Sequence, residues 1–124
     1  MATLATAQRC LIVDDPSIGS SLLEDIASAG FEAVGPFPAP ALALRWLEAQ
    51  TPDLVVIDPA STVGAAQELV LALRERGVPF VVYTDAERTT DVMPELQSMP
   101  WFEKGSGRAE FLATLAYVHA NVTA

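Results

Sequence analysis

Short apolar runs alternate along this chain with longer segments in which apolar residues recur at helical spacing. This alternation predicts a parallel sheet whose strands are joined by crossover helices, which is an α/β fold. The runs "DLVVID" and "PFVVYT" are continuous, as expected for strands that helices cover on both faces. The five predicted strands span residues 10–13, 31–34, 54–57, 80–83 and 101–102.

The first connecting segment predicts an amphipathic helix. Ile18, Leu22 and Ile26 fall on one helical face, whereas Asp25 is assigned to the polar positions away from that face. Gly30 follows as a stop signal. This helix is therefore expected to bury its apolar stripe and to expose Asp25.

Three further segments predict helices, and one connection does not. The apolar stripes consist of Leu44, Leu47 and either Trp46 or Leu42 in the second helix, of Ala66, Leu69, Val70 and Leu73 in the third, and of Phe111, Leu115, Val118 and Val122 in the last. The third closes with "RERG", cations followed by glycine. The last is apolar over a wide arc, which indicates deep burial or a partner. Pro94 interrupts the fourth connection, so a short or irregular helix is expected there.

Length and charge narrow the class of protein. With 124 residues, 51% of them hydrophobic, residues 1–124 are expected to form one domain, with residues 1–8 as a flexible N-terminus. The net charge of −9 disfavours nucleic acid and anionic lipid as partners. Neither a signal peptide nor a membrane-spanning stretch is recognisable, which favours a cytoplasmic protein. The single cysteine, Cys10, excludes a disulfide framework and is expected to be buried.

Polar residues follow four of the five predicted strands. Asp14 and Asp15 follow the first, Asp58 the third, Thr84 the fourth and Lys104 the fifth. Right-handed crossovers allow the flavodoxin-like, doubly wound strand order 2-1-3-4-5, in which ligands bind beyond the carboxyl ends of the strands. Strands 1, 3, 4 and 5 are contiguous in that order, so these side chains are expected to converge.

Three carboxylates brought within a few ångströms of one another need a compensating cation. Oxygen ligands without histidine or cysteine favour Mg²⁺, which uses a few carboxylates beside a phosphate group. The carboxylate of Asp58 can act as a nucleophile toward phosphorus, with Lys104 and Thr84 contacting phosphoryl oxygens. For Asp14, Asp15, Thr84 or Lys104 taken singly, a turn, a cap or a solvated side chain remains an equally good interpretation.

The motifs "LIVDD", "TPDLVVID", "VVYT" and "WFEKG" stand in order at the spacings of a known family. Over nearly its whole length the chain resembles the receiver domains of two-component response regulators. The resemblance implies that Asp14, Asp15, Asp58 and the backbone carbonyl of Ala60 bind Mg²⁺. It also implies that Asp58 accepts a phosphoryl group from a sensor histidine kinase or a histidine phosphotransfer protein.

The same resemblance implies a switch. Thr84 and Lys104 would sense the phosphate, and Trp101 stands where the family has an aromatic switch residue, with plain core packing as the alternative for Trp101. The stretch "GVPFVVYTD" looks like that of stand-alone receivers. The signal is then expected to leave by altered protein–protein contacts, by a phosphorelay step, or by competition for a kinase as a phosphate sink. The expected contact surface is the last helix with the fifth strand, and a homodimer is left open.

Two other functions remain as alternatives. Asp85, Gly105 and the loop "PASTVG" depart from the family pattern, and they motivate a degenerate receiver that docks partners without phosphorylation. A phosphatase similar to the haloacid dehalogenase group is disfavoured, because Ala60 stands where that group has its second aspartate. The chain is therefore expected to modify only itself and not to be an enzyme.

Overall fold

The computed structural model describes residues 8–14, 20–58, 66–84, 100–103 and 108–122. Within these ranges the elements are β1 (Gln8–Val13), α1 (Ser20–Ser28), β2 (Phe31–Phe37), α2 (Pro40–Leu47), β3 (Leu54–Ile57), α3 (Ala66–Glu75), β4 (Phe80–Thr84), β5 (Trp101–Glu103) and α4 (Arg108–Val122). The segment with Pro94, where a short or irregular helix was expected, lies outside the described residues. So do residues 1–7, and Gln8, the last residue of the expected flexible N-terminus, is the first residue of β1.

The five strands form one parallel sheet in the order β2-β1-β3-β4-β5. The predicted doubly wound, flavodoxin-like order 2-1-3-4-5 is therefore confirmed. Because adjacent parallel strands end at the same edge, this order brings the residues that follow β1, β3 and β4 to neighbouring positions.

The predicted strand positions are correct, and most of the observed strands are longer. Residues 54–57 form β3 as predicted, whereas β1 begins two residues earlier and β4 and β5 end one residue later. The largest difference is at β2, which continues through Gly35 and a cis Gly35–Pro36 peptide bond to Phe37. Its added residues pair with the end of β1, so pairing between strands extends β2 beyond the apolar run.

The sheet separates two apolar clusters, because successive side chains of a strand point to opposite faces. One cluster lies under α2 and α3 and the other under α1 and α4. Cys10 belongs to the second cluster and is fully buried, as expected, and this burial raises the pKa of its thiol.

The helices bury or half-bury the described part of the expected stripes, and one choice is resolved. Ile18 and the side chains of Ala66 and Val122 lie outside the described residues. In α2, Trp46 packs against the core, whereas Leu42 is exposed. In α4, Phe111 and Leu115 are buried, Val118 is half-buried and Tyr117 is exposed. Among the described residues, none of the helices has the length and apolar character that crossing a membrane requires.

The prediction for Asp25 is wrong. Its carboxylate is buried and not exposed on the polar face of α1. Arg108, at the start of α4, donates Nε to one Asp25 oxygen at 3.0 Å and Nη2 to the other at 2.6 Å. A two-bond ion pair of this kind compensates a carboxylate for its lost hydration, which explains the burial.

Candidate functional site

Three polar residues end adjacent strands at the carboxyl edge of the sheet. Asp14 follows β1, Asp58 follows β3 and Thr84 is the last residue of β4. Their exposed fractions are 2%, 4% and 0%. Burying a carboxylate costs free energy unless it is paired, hydrogen-bonded or metal-bound. Two buried aspartates at one edge of the sheet therefore mark this edge as a candidate functional site.

Asp58 and Thr84 are in direct contact. The Thr84 hydroxyl donates a hydrogen bond of 2.6 Å to Oδ1 of Asp58. This is the short distance typical of a hydroxyl bound to an ionised oxygen. The structure therefore brings together two of the predicted site residues and directs a donor at the Asp58 carboxylate.

Asp14 and Asp58 are neighbours across the junction of β1 and β3. Val13 and Ile57, the residues before them, are register partners, and the Asp58 amide donates to the Val13 carbonyl at 3.0 Å. Neighbouring strands lie about 4.8 Å apart, so the backbones of the two aspartates are held at about this spacing. Negative charges carried on neighbouring backbones repel one another, which favours a cation beside them.

The chemistry of this pair fits Mg²⁺. The donors are carboxylate oxygens, and Mg²⁺ uses one or two carboxylates while keeping several waters. The part of the chain that the structure describes has no group of three His, Cys, Asp or Glu residues suited to a metal. Asp14 and Asp58 would therefore hold the ion with water and with ligands from elsewhere.

Trp101 lies on the other side of Thr84 from this pair. It is the first residue of β5, it is half-buried, and it packs against the cluster under α2 and α3. Trp101 pairs with Val82 and Glu103 pairs with Thr84. Because side chains alternate along a strand, Thr84 and Trp101 belong to the same face of the sheet.

Four predicted residues lie outside the described part of the chain. They are Asp15 and Ala60, expected to bind Mg²⁺, Lys104, expected to contact phosphate, and Asp85, which departs from the family pattern. Gly105 and the whole of the loop "PASTVG" lie outside it as well. The described site therefore consists of Asp14, Asp58 and Thr84, with Trp101 beyond Thr84.

Asp14 is also supported from β2 by a contact that was not predicted from the sequence. The Asp14 amide donates to the Phe37 carbonyl at 3.0 Å, at the end of β2. A glycine inside a strand often marks a bulge or a close backbone approach, so Gly35 was the available signal.

The strand order and this polar edge define a doubly wound α/β domain with its site beyond the strand ends. Solved structures with the same fold include a response regulator receiver domain from Methylobacillus flagellatus, at 22% identity and TM-score 0.65, covering 89% of this chain and 99% of that one. The receiver domain of NtrC4 from Aquifex aeolicus matches at 16% identity and TM-score 0.67, covering 93% and 98%. SdrG from Pseudomonas melonis Fr1, in its BeF3-activated conformation, matches at 26% identity and TM-score 0.65, covering 88% and 95%.

No protein-family model matches the chain, and no curated protein matches it at a significant level. These structural matches share one fold, and the alignment with this chain covers almost the whole length of each matched domain. The chain has the fold of a response regulator receiver domain, and the resemblance inferred from its motifs is confirmed.

Proposed function

We propose that this chain is a single-domain response regulator that accepts a phosphoryl group on Asp58. The donor would be a sensor histidine kinase or a histidine phosphotransfer protein, and the signal would leave by altered protein–protein contacts. The observation that carries the proposal is the buried Asp58 carboxylate, which accepts a hydrogen bond from Thr84 and lies one strand from Asp14.

Phosphoryl transfer to Asp58 follows from the nucleophilic character of a carboxylate. An Asp58 oxygen attacks phosphorus, an O–P bond forms, and the P–N bond of the phosphohistidine breaks. The electron pair of that bond goes to the imidazole nitrogen, which takes up a proton. Because the Thr84 hydroxyl binds Oδ1, it restrains the rotation of the Asp58 carboxylate.

Asp14, Asp15, Asp58 and the backbone carbonyl of Ala60 would hold Mg²⁺. When bound, the ion neutralises negative charge on the phosphoryl oxygens, which is the main requirement of this reaction. Asp14 is suited to this role because its carboxylate is buried and its backbone is fixed by hydrogen bonding to β2.

Thr84 and Lys104 would contact the phosphoryl group once it is bound to Asp58. Once Asp58 carries a phosphoryl group, the Thr84 hydroxyl can donate to a phosphoryl oxygen, and Lys104 can pair with another as a cation. A shift of Thr84 would change the packing of Trp101, which belongs to the same face of the sheet two register pairs away. The proposed switch is thus a change of packing around Trp101 that is biased by the phosphoryl group.

The proposed output surface is the last helix, α4, with the strand β5. β5 is the final strand of the sheet order, and α4 carries Tyr117 with 69% of its surface exposed. Exposed aromatic side chains are enriched where proteins bind each other. A downstream protein or a second copy of the chain would bind here. With a net charge of −9, nucleic acid and membrane are not proposed as partners, and the cytoplasm is the proposed location.

The direct test is incubation with Mg²⁺ and acetyl phosphate, followed by intact-protein mass spectrometry. We expect a mass gain of one phosphoryl group that is lost in Asp58→Asn. Asp53→Asn is the matched control, because Asp53 precedes β3 at the opposite edge and accepts a hydrogen bond from the Arg9 amide. This control should still be phosphorylated.

The absence of any mass gain with acetyl phosphate, phosphoramidate or a phosphorylated histidine donor would contradict the proposal. It would leave the degenerate receiver, a binding module that works without phosphorylation, as the better function.

The switch can be tested separately with beryllofluoride, which mimics a phosphoryl group on an aspartate. The chain has two tryptophans, so the measurement uses Trp46→Phe, which leaves Trp101 as the single indole. We expect Mg²⁺ with beryllofluoride to change Trp101 fluorescence, and to have no effect when Asp58→Asn is added. If the protein takes up a phosphoryl group and Trp101 fluorescence stays constant, Trp101 has a role in core packing and not in the switch.

A further inference from the structure

The backbone of Asp14 is held from outside its own strand. Asp14 lies one residue beyond β1, and its amide donates to the Phe37 carbonyl of β2 at 3.0 Å. On the other side of β1, the Val13 carbonyl accepts from the Asp58 amide at 3.0 Å. The position of the Asp14 carboxylate relative to Asp58 therefore depends on how β2 meets β1.

The two strands meet there through a bulge. Leu11 pairs with Val34 and Val13 pairs with Phe37, so Gly35 and Pro36 together face Ile12 alone. Gly35 has φ +107°, a backbone conformation that side chains other than glycine's rarely allow. This extra residue sets which carbonyl of β2 reaches the Asp14 amide.

Glycine is also required at this position by space. A Cβ on Gly35 would lie 2.7 Å from the Ile12 carbonyl oxygen and 2.8 Å from the Phe37 nitrogen. Both neighbours are backbone atoms, so neither can swing aside as a flexible side chain would. Any larger residue would wedge β1 and β2 apart within two residues of Asp14.

We infer that Gly35 is a positioning residue for the magnesium site, because it lets β2 close on β1 so that the Phe37 carbonyl fixes Asp14. The inference rests on the proposed function, since the binding of Mg²⁺ by Asp14 belongs to that proposal. Gly35 touches neither the ion nor the phosphoryl group, and its effect passes through the backbone of Phe37.

The test compares Gly35→Ala with Gly77→Ala. Gly77 also has a positive φ, +71°, but a Cβ there meets no atom within 4 Å. Both variants place an alanine at a positive φ, so both carry that backbone strain. Only in Gly35→Ala does the added Cβ also collide with backbone atoms. Isothermal titration with Mg²⁺ alone should show an affinity about tenfold weaker or worse in Gly35→Ala, as for other supports of a metal ligand. Gly77→Ala should keep the wild-type affinity.

Amide hydrogen exchange reports the contact itself. In Gly35→Ala the Asp14 amide should exchange faster than in the wild type. The Val55 amide, which donates to the Pro79 carbonyl, serves as the reference for global unfolding. Circular dichroism verifies that each variant is folded.

A wild-type measurement covers the case in which Gly35→Ala does not fold. Linkage is reciprocal, so if the Asp14–Phe37 hydrogen bond strengthens Mg²⁺ binding, Mg²⁺ must slow exchange of the Asp14 amide. This slowing should exceed that at Val55. Equal slowing at the two amides would overturn the inference.

The remaining outcomes are distinct. Wild-type affinity in a folded Gly35→Ala, or an equal loss of affinity in Gly77→Ala, would overturn the inference and leave the proposed function intact. A wild-type chain that does not bind Mg²⁺ would overturn both.

Discussion

The hydrogen bond between the Thr84 hydroxyl and Asp58 joins two buried groups, so its contribution to stability can be measured. Thr84→Val keeps the shape of the side chain and removes the donor, which should lower the free energy of unfolding by about 1–3 kcal/mol. Urea denaturation gives this value. The chemical reason is that a buried carboxylate loses a charge-assisted hydrogen bond.

Asp58→Asn supplies the control for this measurement. A hydrogen bond to a neutral amide is weaker than one to a carboxylate, so Thr84→Val should cost less when Asp58→Asn is already present. An equal cost in both backgrounds would mean that the effect of Thr84→Val arises from packing and not from the bond to Asp58.

Cys10 gives a second prediction at the scale of one residue. Its side chain is fully buried, and desolvation raises the pKa of the thiol. Only the thiolate is reactive, so we expect alkylation by iodoacetamide to be blocked in the native protein and rapid in urea. Rapid labelling of the native protein at neutral pH would contradict this burial.

The same residue makes stability depend on pH. Above about pH 8.5 an unfolded cysteine loses its proton, whereas native Cys10 keeps it. The unfolded state then binds fewer protons, so the free energy of unfolding falls as pH rises through this range. Cys10→Ala, compared with the wild type in urea titrations from pH 7 to 10, should remove this part of the slope.

At the scale of elements, the ion pair between Asp25 and Arg108 ties α1 to the start of α4. The Asp25 carboxylate is buried and accepts two hydrogen bonds from the guanidinium, whose own pKa is raised by this contact and by the charge of Asp25. We expect Arg108→Ala to lower the urea midpoint, because it leaves Asp25 buried without this partner. Arg108→Lys should recover only part of the loss, since an ammonium cannot make the parallel pair of bonds.

Arg74→Ala is the matched control for this ion pair, because Arg74 is an exposed arginine in the last turn of α3. It should leave the midpoint nearly unchanged. If Arg74→Ala and Arg108→Ala have equal effects, the pair does not hold α1 and α4 together.

The aromatic residues beside this ion pair link it to the sheet. The rings of Tyr83 and Phe111 stack with centroids 4.1 Å apart, and Phe102 meets Phe111 edge-on at 6.1 Å. Tyr83 precedes Thr84 in β4, and Phe102 follows Trp101 in β5. The start of α4 therefore packs on the two strands that carry the proposed switch.

At the scale of the whole molecule, Mg²⁺ should stabilise the fold. A ligand that binds only the native state adds about 2.7 kcal/mol to the free energy of unfolding at one hundred times its dissociation constant. Thermal unfolding with and without Mg²⁺ measures the shift, which Asp14→Asn should abolish. Without Mg²⁺, Asp14→Asn should unfold at a higher temperature than the wild type, because it removes one of two neighbouring buried charges.

Sodium chloride at the same ionic strength controls for general screening, which matters for a chain of net charge −9. A shift of the same size in sodium chloride would mean that Mg²⁺ acts by screening the surface and not at Asp14.

Much of the fold and part of the site could be predicted from the sequence. β3 was predicted at both ends because the run "LVVI" is apolar and flanked by polar residues. Asp14, Asp58 and Thr84 were predicted together because each directly follows or ends such a run, and parallel strands share an edge. Burial of Trp46 rather than Leu42 could not be predicted, since both are apolar and the choice depends on how α2 rests on the sheet.

The sequence by itself determined where the strands form, which class of fold they build, and which carboxylates lie at the strand ends. These features follow from periodicity and solvation, which act over a few residues. The tertiary structure decided what depends on distant partners. Asp25 is buried because Arg108, 83 residues away, binds it, and β2 continues to Phe37 because its bulge fits against Ile12. Such contacts join residues that are far apart in the sequence, so they form only when the chain is folded and no local pattern predicts them.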